Sequence, residues 1–231
     1  MIKDALILAG GKGTRLSSVT KGGQKVIVDV AGKPFLVRLL DKLISEGFRS
    51  ITIAAGYRAD DIKATLRRFD LAASIKIIVE SSPLGTGGAI KNAFEKTGLE
   101  EYVVLNGDSF NDINYSEFLR KHRESGAVFS ILTTEVPDIS RFGEVLFDRS
   151  NRITGFREKT GVKRGGVINA GVYAIKKEVL REAKNSNFSI EEYIFTNVKT
   201  LDINAVPSCS DFRDIGTPDD YYDFVKLKKG E

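Results

Sequence analysis

Three glycines fall within four positions in the run Leu8-Ala9-Gly10-Gly11-Lys12-Gly13-Thr14-Arg15-Leu16. That spacing lets backbone N–H groups come close to a ligand, as a cradle for phosphate requires. The run is not a dinucleotide fingerprint, because Gly11-x-Gly13 would need Gly or Ala where Leu16 stands. It is not a Walker loop either, since no Gly-Lys-Ser/Thr triplet closes it. Lys12 and Arg15 lie inside the loop, and Lys25 follows the flexible pair Gly22 and Gly23. Three cations and several free amides around one strand end suit a triphosphate.

Carboxylates supply the second kind of chemistry. The apolar run at 103–105 passes through Asn106 and Gly107 to Asp108 and Ser109. A carboxylate at the C-terminal end of a parallel strand lies where open α/β sheets bind ligands. Asp214, just before a helix cap at Thr217, is the natural partner. Two aspartates, completed by phosphate oxygens and waters, match the way Mg²⁺ is held. Either aspartate alone reads more readily as a turn or cap residue; their occurrence with the glycine loop favours the metal.

These residues need strands that end together, and the hydrophobic pattern predicts them. Residues 5–8, 50–54, 75–79 and 102–105 read as short apolar strands. Helices alternate with them: one opened by Pro34, one at 59–69 and one at 85–97. The alternation predicts an α/β fold, a Rossmann-like, mainly parallel sheet flanked by helices. After Asn114 the pattern changes. A helix at 115–123 is followed by strands at 128–134, 143–147, 153–157 and 167–175, read as a mixed part of the sheet with a small antiparallel lobe. Ser189 and Glu192 form a capping box for a helix to about 198, and Thr217 caps a last one. One domain spans 1–231, with no internal repeat or linker.

Composition narrows the classes of function. Hydrophobic residues are 42% and charged residues 29%, as in globular proteins. A net charge of +4 without a basic stripe argues against nucleic-acid binding. No apolar run approaches the ~20 residues of a membrane helix, and no signal peptide is recognisable. Single Cys and His residues leave no disulfide framework, cysteine-rich zinc site or Ser-His-Asp chemistry. A cytoplasmic location is expected. His122, between Lys121 and Arg123, reads as a solvated surface residue, Cys209 as a semi-buried small side chain, and the tail at 226–229 as a solvated helix end.

In this order, along essentially the whole chain, the segments resemble the sugar-1-phosphate nucleotidyltransferases. The resemblance implies nucleotide binding by Leu8, Ala9, Gly10, Gly11, Gly13, Thr14 and Arg15. It adds Glu80, Pro83, Gly85, Thr86, Gly87, Asn106 and Gly107, with residues 1–110 as the nucleotide-binding part. It assigns sugar-phosphate contacts to Gly143, Glu158, Lys159, Asn169 and Ala170 within 111–231. Arg15, Lys25 and Asp108 become catalytic, and Asp108 and Asp214 ligate Mg²⁺. The implied substrates are a nucleoside triphosphate and a sugar 1-phosphate; a homodimer is left open. One departure stands out: Gln24 precedes Lys25 where the family usually has Pro, which puts the placing of Lys25 in question.

The run from Glu80 through Pro83, Gly85, Thr86, Gly87 and Gly88 most resembles the D-glycero-α-D-manno-heptose 1-phosphate guanylyltransferases. Its glycines are expected to let backbone groups reach a base edge. Mannose-1-phosphate guanylyltransferases and muramate- or hexose-1-phosphate uridylyltransferases are the alternatives. A non-catalytic nucleotide or sugar-phosphate sensor is the rival of a different class; it predicts loss of at least one of Arg15, Lys25, Asp108 and Asp214, and all four are present. A dinucleotide-dependent oxidoreductase is disfavoured by Leu16.

Overall fold

The apolar run that ends at the first glycines forms β1 (Asp4–Ala9), and the loop after it carries the short helix α1 (Ser17–Thr20). The computed structural model describes residues 2–159, 161–209 and 211–230. A small hairpin of β2 (Asp29–Val30) and β3 (Lys33–Pro34) leads into α2 (Phe35–Ser45). Pro34 sets the entry to α2, and Leu36, Leu39, Leu40 and Leu43 form its buried stripe. There follow β4 (Ser50–Ala55), α3 (Ala59–Leu66), β5 (Ser74–Val79), α4 (Gly85–Thr97), β6 (Glu101–Asn106) and β7 (Ser109–Asn111). Helix α5 (Tyr115–Ser125) is capped by Asn114, whose side chain accepts the Glu117 N–H at 2.9 Å. The rest comprises β8 (Phe129–Val136), β9 (Glu144–Phe147), β10 (Ile153–Arg157), β11 (Gly166–Lys176), α6 (Ile190–Thr196), β12 (Ile203–Ser208), β13 (Phe212–Asp214) and α7 (Pro218–Lys229).

Nine strands make one mixed sheet, in the order β10-β9-β11-β6-β1-β4-β5, with β8 on β11 and β12 on β8. β6, β1, β4 and β5 run parallel, so their C-terminal ends share one rim. β11 runs against β6 and carries the antiparallel strands with it, so the smaller lobe is an extension of the same sheet. Alternation along β1 sends Ala5, Ile7 and Ala9 to one face and Leu6 to the other. The first face packs on α2, α3, α5 and α7, the second on α4 and α6. The mainly parallel α/β fold expected from the sequence is the one observed.

The expectations for His122 and Cys209 need correction, and one strand was not expected. His122 is only 2% exposed, and its Nδ1 lies 2.7 Å from Ser130 Oγ. Its sequence neighbours are charged, but Phe118 and Leu119, one helical turn back, share its face and are buried. Burial, aided by Lys176 and Arg123, holds the imidazole down at about 4. Cys209 is exposed rather than semi-buried. β12 went unread because Asn204 and Pro207 interrupt its apolar run. It pairs in parallel with β8 and carries an isolated bridge from Asn204 to Arg152 on its other side, a position near the sheet edge that tolerates a proline.

Candidate active site

Gly13 occupies the left-handed region at φ 61° and starts the turn that carries Thr14 and Arg15. A Cβ on Gly13 would also lie 2.6 Å from the Cβ of Lys25, so glycine is needed there for conformation and for space. Leu16 is fully buried and pins the loop to the core, while Lys12 and Arg15 stand exposed. Lys25 is 6% exposed, and its Nζ pairs with Asp108 Oδ2 at 2.9 Å.

Gln24 does not loosen this arrangement. It is 1% exposed, and its Nε2 donates to the carbonyls of Ala9 at 3.1 Å and Tyr57 at 2.8 Å. The segment before Lys25 is thereby tied to the ends of β1 and β4. That anchorage takes over the constraint a proline would have supplied.

Gly107 donates its N–H to the Leu8 carbonyl at 2.9 Å, and any side chain there would overlap that oxygen. This close approach sets Asp108 beside the glycine loop. Asp214 arrives from β13, which pairs with β7 so that Asp214 faces Ser109. The Ile215 N–H donates to the Asp108 carbonyl at 3.0 Å. Burial and the negative charge of Asp108 push the Asp214 carboxyl above its ordinary range, with Lys25 opposing. Two crowded carboxylates against a single ammonium leave a local excess of negative charge, which fits a divalent cation. No third His, Cys, Asp or Glu joins them in a metal-binding group among the described residues.

Glu80 follows β5 and donates its own N–H to Ala55 at 2.8 Å. Its carboxylate lies close against Gly10 and Gly56, so the residue stands at the mouth of the glycine loop. Burial pushes its carboxyl up, partly offset by the Leu84 N–H. Pro83 and Gly85 are exposed. The structure gives the expected base-facing glycines a different neighbour. Side chains at Gly85, Gly87 or Gly88 would overlap Phe188 or the Ser186 carbonyl. The Gly87 and Gly88 N–H groups donate to the Phe188 carbonyl, so the start of α4 is capped from within the chain. Thr86 Oγ1 is likewise engaged, donating to Glu191 Oε2 at 2.8 Å and accepting the Ile190 N–H at 2.8 Å.

In the antiparallel part of the sheet, Gly143 immediately precedes β9, and Glu158 and Lys159 immediately follow β10. Glu144 and Arg157 pair in register, so these three residues sit together at one end of the strand pair. Arg164 and Arg157 both bind Glu144 and hold its carboxyl down at about 2. Asn169 and Ala170 lie on β11 where its register with β8 shifts, at Gly171 with φ 74°. The Ala170 carbonyl accepts from Asn111 Nδ2 at 2.8 Å, tying this turn to β7. Asn106, at the end of β6, packs against Gly171.

Sequence reasoning passed over Gln24 as an anchor, and over Tyr173, Glu191 and Arg141. Arg141 forms a bidentate pair with Asp220 at 2.7 and 2.9 Å, and Asp214 adds to the field on its guanidinium. An acidic residue in the first turn of a helix, as Glu191 is in α6, carries no signal beyond the ordinary preference for that position.

A glycine loop on the first parallel strand, a lysine–aspartate pair and a second aspartate at the same rim define a nucleotide-handling α/β site. The chain belongs to the nucleotidyl transferase family, which it matches over residues 4–229. It is 37% identical over 222 residues to the D-glycero-alpha-D-manno-heptose 1-phosphate guanylyltransferase of Campylobacter jejuni, covering 96% of this chain and 98% of the relative. It is 32% identical over 223 residues to the mannose-1-phosphate guanylyltransferase of Mycobacterium tuberculosis, covering 94% of this chain and 62% of that one. The crystal structure of HddC from Yersinia pseudotuberculosis complexed with GMP-PN superposes with a TM-score of 0.89 at 34% identity, covering 98% and 100% of the two chains.

Proposed function

We propose that this enzyme transfers GMP from GTP to a sugar 1-phosphate, D-glycero-α-D-manno-heptose 1-phosphate, releasing pyrophosphate. The observation that carries the reading is the buried Lys25–Asp108 pair with Asp214 beside it at the mouth of the glycine loop. Similarity to guanylyltransferases over nearly the whole chain supports the nucleotide and the sugar. A sugar 1-phosphate oxygen attacks the α-phosphorus in line and pyrophosphate leaves, so no protein nucleophile is needed. Arg15 meets the β- and γ-phosphates, Lys25 bridges the attacking phosphate and the α-phosphate, and Lys159 holds the incoming sugar phosphate. Asp108 and Asp214 would hold Mg²⁺, which when bound neutralises charge on the phosphates. A cytoplasmic setting, where nucleoside triphosphates are at hand, suits the reaction.

Guanine presents a ring N–H and an exocyclic amine, and the carboxylate of Glu80 beside Gly10 is an acceptor for both. Uracil would bring a carbonyl against the same carboxylate, a polar mismatch that discriminates strongly. Mannose 1-phosphate is the second sugar to consider, on the strength of the mannose-1-phosphate guanylyltransferase similarity. The test is pyrophosphate release from four nucleoside triphosphates against heptose, mannose, glucose and muramate 1-phosphates. GTP with the heptose should be turned over fastest, and Glu80→Gln should narrow the preference for GTP over UTP. Equal or better turnover with UTP or CTP would end the guanylyl assignment.

A further inference from the structure

Tyr173 is fully buried in β11, so its hydroxyl must find all of its partners inside the protein. It accepts from Asn169 Nδ2 at 2.9 Å and donates to Glu191 Oε1 at 3.0 Å. Burial and the Glu191 charge push its phenol well above the ordinary value, so it remains a donor. Glu191 also receives Thr86 Oγ1 at 2.8 Å and Ser189 Oγ at 2.7 Å, both on Oε2. A carboxylate only accepts, so all three hydroxyls must turn their protons toward it. That leaves the Tyr173 oxygen facing Asn169 as an acceptor, and the Asn169 amide must offer it N–H. On Asn169 the Gly171 N–H occupies Oδ1 at 2.8 Å. The group Asn169 has left for a ligand is therefore its second N–H, a donor.

We propose that Glu191 is a positioning residue that fixes both walls of the cleft. Through Tyr173 it presents Asn169 to the sugar 1-phosphate as a hydrogen-bond donor, and through Thr86 it anchors the start of α4 on the nucleotide side. The inference rests on the transfer reaction proposed above. Thr86 belongs to α4 and Asn169 to β11, and Glu191 is bonded toward both. The two arms can be probed separately, the first through Tyr173 and the second through Thr86.

The test is a KM split measured with both substrates varied. Tyr173→Phe should raise KM for the sugar 1-phosphate about tenfold and leave KM for GTP within twofold, the scale of one hydrogen bond to a charged group. Thr86→Val, which keeps the shape, should do the reverse. Glu191→Gln offers one acceptor oxygen for three donors and should raise both, while Glu192→Gln on the exposed neighbour should change neither. Melting temperatures verify that each variant is folded. Unchanged KM values, or parallel changes in Tyr173→Phe and Thr86→Val, would reduce Glu191 to a structural tie. Absence of turnover by the unaltered enzyme with every substrate pair would instead overturn the transfer reading, and this inference with it.

Discussion

The two walls of the cleft are built by different means. On the glycine-loop wall, position is set largely by close approach to glycines: Gly13 makes way for the Lys25 side chain, and Gly107 rests on the Leu8 carbonyl. On the antiparallel wall, position is set by side chains meeting side chains, from Glu191 through Tyr173 to Asn169. A wall of the first kind tolerates few substitutions at its glycines. A wall of the second kind depends on polar groups far from it in sequence.

The sharpest way to test the first wall is to remove its charges. Asp108→Asn and Asp214→Asn should each lower turnover at least a hundredfold with folding intact, measured at millimolar Mg²⁺. Near-normal rates in both would end the two-aspartate reading. Arg15→Ala and Lys25→Ala should lower kcat by about a hundredfold, more than they weaken nucleotide binding, because their charge matches that developing on the transferring phosphates. A raised KM with unchanged kcat would make them ground-state binders.

Glycine substitutions compare steric demand directly. Gly88→Ala would press on the Ser186 carbonyl and should cost about 3 kcal/mol of unfolding free energy. Gly11→Ala meets open space and should leave chemical denaturation within about 0.5 kcal/mol of the parent. Equal costs would mean that the contact with the 186–188 segment is not what these glycines serve.

A pH-dependent effect belongs to His122, away from both walls. Its folded value, about 4, lies below the ordinary 6.5, so charging it favours the unfolded chain. Its contribution is full above pH 6.5 and declines as the pH falls toward 4, reaching a loss of about 2 kcal/mol near pH 5. His122→Gln, which still offers Ser130 a partner, should flatten that part of the stability profile. An unaltered slope between pH 7 and 5 would place the titration elsewhere.

Much of this was legible in the sequence, unevenly. The stripe of Leu36, Leu39, Leu40 and Leu43 announces α2, and the apolar runs before Gly10 and Asp108 announce the central strands. Local patterns of that kind carry their own geometry. The charges beside His122 in the sequence point to solvent, whereas its burial follows the helix face it shares with Phe118 and Leu119. Gly85, Gly87 and Gly88 signalled close approach correctly but not its object, which lies about a hundred residues away. Gln24 looked like the loss of a proline, and only the carbonyls of Ala9 and Tyr57 show what replaced it. Glu191 had no local signal at all.

The hydrogen bonds that join Thr86 to Ile190 and Glu191 span 104 and 105 positions. Contacts so distant are entropically late, since the loop between them must close before they reward it. During synthesis the first parallel strands emerge early, while the N–H groups opening α4 wait for the Phe188 carbonyl. The cleft therefore acquires its final rigidity only when the antiparallel strands and α6 are in place. A chain stopped before residue 186 would carry the whole glycine loop and both residues of the Lys25–Asp108 pair, with neither wall yet fastened by Glu191.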